Sequence, residues 1–182
     1  MRVLGVDPGT VVTGWGVVDC EGRSLARVAS GTIRVGRGDL SQRLARVYAE
    51  LVKVIALHGP RVMSLERNFV ARNVQSAFRL GEARGVAMAA AAAADVALAQ
   101  YTPATIKKSV VGHGRAEKSQ VQAAVVRIFS LDTSPPEDEA DALATAVCHG
   151  LRRGFDERVA AALADEPGTK PVAGRVRRRV TG

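Results

Sequence analysis

The stretch Arg2-Val3-Leu4-Gly5-Val6-Asp7, followed by Pro8-Gly9-Thr10, decides how the rest of the chain is read. Four of the five residues before Asp7 are apolar or Gly, the pattern of a strand buried on both faces. A carboxylate closing such a strand lies in a low-dielectric position, which is costly unless a cation or strong donors compensate it. An Asx-turn with Pro8-Gly9 would account for Asp7 alone. Two further acidic sites point elsewhere. Glu66 closes the run Arg61-Val62-Met63-Ser64-Leu65, and Asp138 and Asp141, three apart at the start of a helical pattern, share one helix face. Three separated acidic sites, two of them at strand ends, have the look of a divalent-metal site.

The 182 residues are long enough for one domain with a proper core, and 47% hydrophobic residues fit a soluble globular protein. No apolar stretch is long enough to span a bilayer, and the N-terminus runs straight into a strand without the pattern of a signal peptide. A cytoplasmic protein with no membrane partner is expected. Cys20 and Cys148 lack metal spacing and read as small buried residues. The net charge of +8 points to a polyanionic partner. From Leu151 onward there are eight basic against four acidic side chains, so half of that excess lies in the body that also carries the acids. A basic surface around carboxylates suits a nuclease; structural nucleic-acid binders have no use for the acids.

Local patterns supply the element order. Residues 2–7, Thr13 to Val18 and roughly Ser24 to Val35 read as three strands joined by short connections, hence antiparallel. Leu40, Leu44, Val47, Leu51 and Ile55 give a helix to His58, stopped by Gly59-Pro60. Val62 to Glu66 is a strand after a helix, parallel to the first. A helix over Asn73 to Ala94, a strand over Val96 to Tyr101 and a short helix capped by Thr102-Pro103 follow. After the break Gly112-His113-Gly114, helices are expected over Ala116 to Phe129 and Glu137 to Arg153. The result is a mixed α/β sheet with helices on both faces. If the first and fourth strands are neighbours, Asp7 and Glu66 lie side by side at the carboxyl end, where open α/β sheets build their sites.

Converging carboxylates repel and raise one another's pKa, a conflict that divalent cations remove. Oxygen-only ligands favour Mg2+ or Mn2+ over zinc. Two such ions about 3.5–4 Å apart can activate water and stabilise the leaving oxygen of a phosphodiester.

The segments GVDPGTVVTGWGVV (5–18), LERNFVARN (65–73), SAFRLG (76–81), VVGHGRAEKSQV (110–121) and EDEADALATAV (137–147) together resemble the RuvC Holliday junction resolvases, in order, from residue 1 to about 153. The resemblance implies a ribonuclease-H-like, mixed five-stranded sheet with helices on both faces. It places a nuclease domain at residues 1–155 and leaves 156–182 as a basic, flexible tail. It further implies metal-dependent endonucleolytic cleavage of four-way DNA junctions, with Mg2+ (Mn2+ as a substitute) at two ions per subunit. Asp7, Glu66, Asp138 and Asp141 are then the catalytic metal ligands. Composition does not choose Asp138 and Asp141 over Glu137 and Glu139; with the family pattern in hand, those neighbours read as solvated residues favoured by the helix dipole. Lys107 and Lys118 match family positions for phosphate contact or charge stabilisation, with Lys118 among the catalytic residues and Lys108 and Arg115 as neighbouring DNA-binding candidates. Phe69 is a rare aromatic that could stack on an unpaired base at the crossover, or fill core; Trp15 and Phe78 read as packing.

A four-way junction has two equivalent strands to cut, which fits a homodimer, and the small residues from Gly81 to Ala94 suit close approach of a partner helix. The RuvA–RuvB branch-migration machinery is implied as a partner by the resemblance alone. Three rivals remain. Asp7-Pro8-Gly9-Thr10 with Gly14 and Gly16 also resembles the phosphate-binding hairpin of the sugar kinase and actin superfamily, but the chain has no room for a second lobe. A junction binder without catalysis has no reason to keep four uncompensated acids together. Another ribonuclease-H-like nuclease, acting on hybrids or single strands, is disfavoured by Phe69, Lys107 and Lys118.

Overall fold

The structure, a computed structural model, describes residues 1–67 and 74–164. Strand β1 (Arg2–Asp7) pairs antiparallel with β2 (Val12–Glu21), and β2 pairs with β3 (Ser24–Arg34). After helix α1 (Leu40–His58), β4 (Val62–Glu66) joins β1 in parallel. Helix α2 (Val74–Ala93) leads to β5 (Ala97–Tyr101), parallel to β4. The sheet order is β3-β2-β1-β4-β5. Helices α3 (Pro103–Val111), α4 (Lys118–Phe129) and α5 (Glu137–Ala164) complete the described chain.

Strand alternation splits the core in two. Leu4, Val6, Val17, Met63 and Leu65 face α1 and α2, packing with Val47, Leu51, Ile55, Ala87 and Ala91. Val3, Val18 and Cys20 face the other way, into a second core with Ile106, Val125, Leu143 and Ala146 from α3, α4 and α5. Leu4, Leu51, Met63, Leu65 and Leu143 are fully buried, each worth about 1.5–3 kcal/mol relative to exposure. The middle of α5 is covered all round: every residue from Ala142 to Gly150 is buried, Thr145 and His149 among them.

Three expected boundaries shift by two residues or more. The second strand runs on from Val18 to Glu21, because Asp19 faces outward and pairs with Arg2 at 2.8 Å while Cys20 turns into the core. Helix α4 starts at Lys118, since Glu117 is its N-cap in a capping box with Gln120. Helix α5 continues past Arg153 and through Gly154 to Ala164, so the tail expected from residue 156 begins inside a helix; residues 165–182 lie outside the described residues. Thr102 and Pro103 cap α3 as read, with the Thr102 hydroxyl accepting from the Thr105 N–H at 3.2 Å. Both cysteines are buried and free, and burial pushes the Cys20 thiol up to about 11. No helix among the described residues is long and apolar enough to cross a membrane.

Candidate active site

The two-residue period of the strands aims the acids. Val3, Gly5 and Asp7 lie on the α5 side of β1, and Val62, Ser64 and Glu66 lie on the same side of β4. The register sets Gly5 beside Ser64 and Val6 beside Leu65, so Asp7 and Glu66 close adjacent parallel strands. Ser64 is tied to α5, its hydroxyl donating to the Thr145 carbonyl at 3.0 Å, and the Thr145 hydroxyl donates in turn to the Asp141 carbonyl at 2.8 Å.

Glycine lets α5 lie directly on the sheet. A β-carbon at Gly14 would overlap the carbonyl of Asp138, one at Gly5 would overlap that of Ala142 and stand 2.8 Å from the Ala146 nitrogen, and one at Gly16 would meet Leu143 Cδ2 at 2.6 Å. Real β-carbons essentially never come within 3.0 Å. Gly14 and Gly16 thus admit a helix where the rival reading had them cradle phosphate. That close seat brings the first turn of α5 to the end of β1.

Around this point lies a cavity of about 310 Å³ lined by Asp7, Glu66 and Asp141 together with Pro103, Ile106, Lys107, Lys118 and Val121. Asp138 is not on its wall but lies within electrostatic reach of both Asp7 and Asp141. Burial, reinforced by Asp141, Glu66 and Asp138, pushes the Asp7 carboxyl from its ordinary 3.8 up to about 7, against the pull of Lys118. Asp141 is also raised, chiefly by burial; Lys118 and Lys107 pull it down while Glu137 and Asp138 push it up.

Among the described residues, no group of three or more His, Cys, Asp or Glu side chains is arranged to hold an ion as it stands. The donor set nevertheless suits a hard divalent cation: carboxylate oxygens on a half-buried wall, one with its proton affinity raised by burial and by the like charges around it. Asp7 and Glu66 end neighbouring paired strands, so both carboxylates belong to the same end of the sheet.

Other expected residues scatter. Lys107 and Lys118 line the cleft. Lys108 lies on a different depression with Arg152, Thr105 and Ser109. Arg115 is exposed in the turn before α4 and is not among the residues lining the cleft. Phe69 lies outside the described residues. Phe78, read as packing, is 69% exposed on α2, because only Ala83, Ala87, Ala90 and Ala91 of that helix are fully buried. Trp15 packs against the α1 side and lies 5.9 Å from the His58 ring. The two glutamates expected in solvent are both engaged. Glu139 accepts from the Ser30 hydroxyl at 2.6 Å, and Glu137 forms an ion pair with Lys118.

Sequence reasoning also missed the residues that fix the acids. The Thr13 hydroxyl donates to the Gly9 carbonyl at 2.8 Å and accepts from its N–H at 3.2 Å, pinning the turn after Asp7. Arg43 on α1 donates to the Thr10 carbonyl of the same turn at 2.9 Å. Arg84 on α2 donates to the Glu66 carbonyl and to Gln100. Each is a polar residue on an otherwise amphipathic pattern, a weak signal before the partner is known.

The model of the crossover junction endodeoxyribonuclease RuvC matches residues 3–149. The chain belongs to the RuvC family. A RuvC of Shewanella frigidimarina is 46% identical over 147 residues, 81% of this chain and 85% of its own. Among solved structures, Thermus thermophilus RuvC in complex with Holliday junction substrate superposes with a TM-score of 0.81 at 30% identity, covering 86% of this chain and 96% of that one. The yeast mitochondrial Holliday junction resolvase Ydc2 shares the fold at a TM-score of 0.63 and 13% identity, over 89% of this chain and 83% of its own. The α/β reading with its five-stranded mixed sheet agrees with these neighbours.

Proposed function

We propose that this RuvC-family chain is a structure-specific endonuclease that resolves four-way (Holliday) DNA junctions by symmetric, metal-dependent phosphodiester hydrolysis, in the cytoplasm, during recombination and repair. The observation that carries the reading is one cleft at the carboxyl end of the sheet in which Asp7, Glu66 and Asp141 meet Lys107 and Lys118. Acids alone would repel a phosphodiester; lysines alone would only bind it. The combination holds a phosphate while leaving an anionic floor for cations.

Mg2+ ions, with Mn2+ as a substitute and two per subunit, would be held by Asp7, Glu66, Asp138 and Asp141, and supply charge that acidifies an attacking water and stabilises the leaving oxygen. Lys118 and Lys107 bring the scissile phosphate over the acids and offset its charge. The Thr13 and Arg43 contacts hold the Asp7 turn still, and Arg84 holds the end of β4, so the reacting groups keep their alignment. Lys108, Arg115 and Phe69 complete the proposed DNA contacts, the last by stacking on an unpaired base.

Two equivalent cuts call for a homodimer. Val74 and Phe78, 71% and 69% exposed on α2, and the open space beside Gly81 and Gly85 support α2 as its interface. The RuvA–RuvB pair enters the proposal through family membership alone. Cleavage of a synthetic four-way junction with and without Mg2+, against linear duplex, tests the reading. Asp7→Asn is expected to abolish cutting and leave junction binding; normal cutting by that variant would remove Asp7 from the machinery.

A further inference from the structure

Lys118 and Glu137 meet at the mouth of the cleft, Nζ against Oε1, the first residue of α4 facing the first residue of α5. Their side chains are 70% and 58% exposed, so the pair is of the weak, breakable kind, favoured about two- to fivefold over its open form. The same ammonium lines the cleft with Asp7, Glu66 and Asp141, and its charge acts on Asp7 and Asp141. Within the field of Asp7 and Asp141, Lys118 therefore has two direct hydrogen-bonding partners to choose between: the Glu137 carboxylate and a phosphate entering the cleft. The other acids of this turn are otherwise occupied. Glu139 is held by Ser30, while Asp138 and Asp141 act on Asp7 as members of the acid cluster.

Resting on the junction-resolving reading, we propose that Glu137 is a specificity-determining residue, an internal stand-in for substrate phosphate that occupies Lys118 until a DNA phosphate is driven into the cleft. DNA lying loosely on the basic surface gains nothing from Lys118 unless it displaces Glu137. A junction that fits offsets that displacement through its many other contacts. The pair thus lowers affinity for all DNA slightly, and discriminates against substrates that do not place a phosphate at the acids.

Counterion release makes this measurable. While Lys118 is neutralised by Glu137, engaging a phosphate exchanges one internal partner for another; once Glu137 is uncharged, the same contact releases a bound salt ion. Binding of four-way junction and of linear duplex is measured without divalent ions across a salt series, for wild type, Glu137→Gln, Glu137→Asp, Lys118→Gln and the Glu137→Gln/Lys118→Gln double variant. Glu137→Gln is expected to steepen the log–log salt slope by about 0.9 and tighten binding at low salt by about two- to fivefold, more for linear duplex than for junction. Glu137→Asp should behave as wild type, and the double variant should show no gain over Lys118→Gln. Glu139→Gln, which removes a nearby charge without releasing Lys118, should leave the slope unchanged.

The proposal is overturned if the slope of Glu137→Gln matches wild type, if its gain persists with Lys118 removed, or if Glu139→Gln reproduces it. Thermal midpoints of each variant separate folding defects from binding effects, and Glu137→Asp supplies the comparison should Gln unsettle the first turn of α5. Loss of junction preference in the wild type would instead refute the functional reading, and the slopes on linear duplex would still decide the role of the pair.

Discussion

Replacing Gly14 with Ala tests whether the seat of α5 on the sheet builds the site. The new methyl would overlap the Asp138 carbonyl, and restoring an ordinary 3.4 Å contact means lifting the start of α5 by roughly 1.5 Å. Gly14 does not occupy the left-handed region, so Ala suits the backbone and the whole effect is steric. Overpacking of this kind costs about 1–3 kcal/mol, which for a chain of this size lowers the thermal midpoint by roughly 2–12 °C. The effect on chemistry is larger, because a shift of about 1 Å between reacting groups costs on the order of 100-fold in rate. Single-turnover junction cleavage with protein in excess is expected to fall about 100-fold or more, with junction binding kept to within several-fold. Gly16→Ala, whose methyl meets chiefly the Leu143 side chain and comes no nearer than 3.3 Å to backbone, should be milder on both measures. Should Gly14→Ala cut within about threefold of wild type at an unchanged midpoint, the close seat of α5 does not set the acid geometry.

The raised Asp7 pKa predicts how stability depends on pH. The folded chain holds that proton more tightly than the unfolded chain, so without divalent ions stability falls as pH climbs from 3.8 towards about 7, then levels off. Asp7→Asn removes this loss, at most on the order of 4 kcal/mol; it should melt above wild type at pH 8 and level with it near pH 4, and a gap of equal size at both would deny the burial effect. Gly85 has open space beside it on α2, and Ala there would favour the helix of an isolated copy by about 0.5–1 kcal/mol. If α2 is the dimer interface, sedimentation should instead show Gly85→Ala weakening the dimer about tenfold or more through overpacking. A higher melting point with an unchanged dimer would move the interface elsewhere.

Much of the fold was legible because its signals are local. The apolar run before Asp7, the spacing from Leu40 to Ile55 and the Thr102-Pro103 cap each encode an element without reference to anything distant. The pairing of Asp7 with Glu66 followed from one topological step, a strand after a helix returning in parallel. What stayed hidden depends on which face meets which. The alternation Val3, Gly5, Asp7 pointed the acid towards one side of the sheet, yet nothing in β1 says that α5 is the helix there. Gly5, Gly14 and Gly16 form a small-residue patch only once two strands are paired, and before that Gly14 and Gly16 also matched a phosphate-binding hairpin. Glu137 and Glu139 look like ordinary first-turn acids until α4 supplies Lys118 and β3 supplies Ser30. The far end of α5 was placed too early at Arg153; the helix runs on through Gly154 and the alanine-rich turns beyond it.

The alternation along β1 also bears on how such a chain can change by insertion or deletion. Adding one residue between Val3 and Asp7 would turn the carboxylate into the layer packed by α1 and α2 and present an aliphatic side chain where the acid belongs. Length changes in this strand would therefore erase chemistry and packing in a single event, whereas the glycine-flanked bend at Gly36-Arg37-Gly38, where neither glycine has a neighbour beside it, can lengthen without reaching either. Natural length variation among related chains should accordingly collect at that bend and spare the first strand.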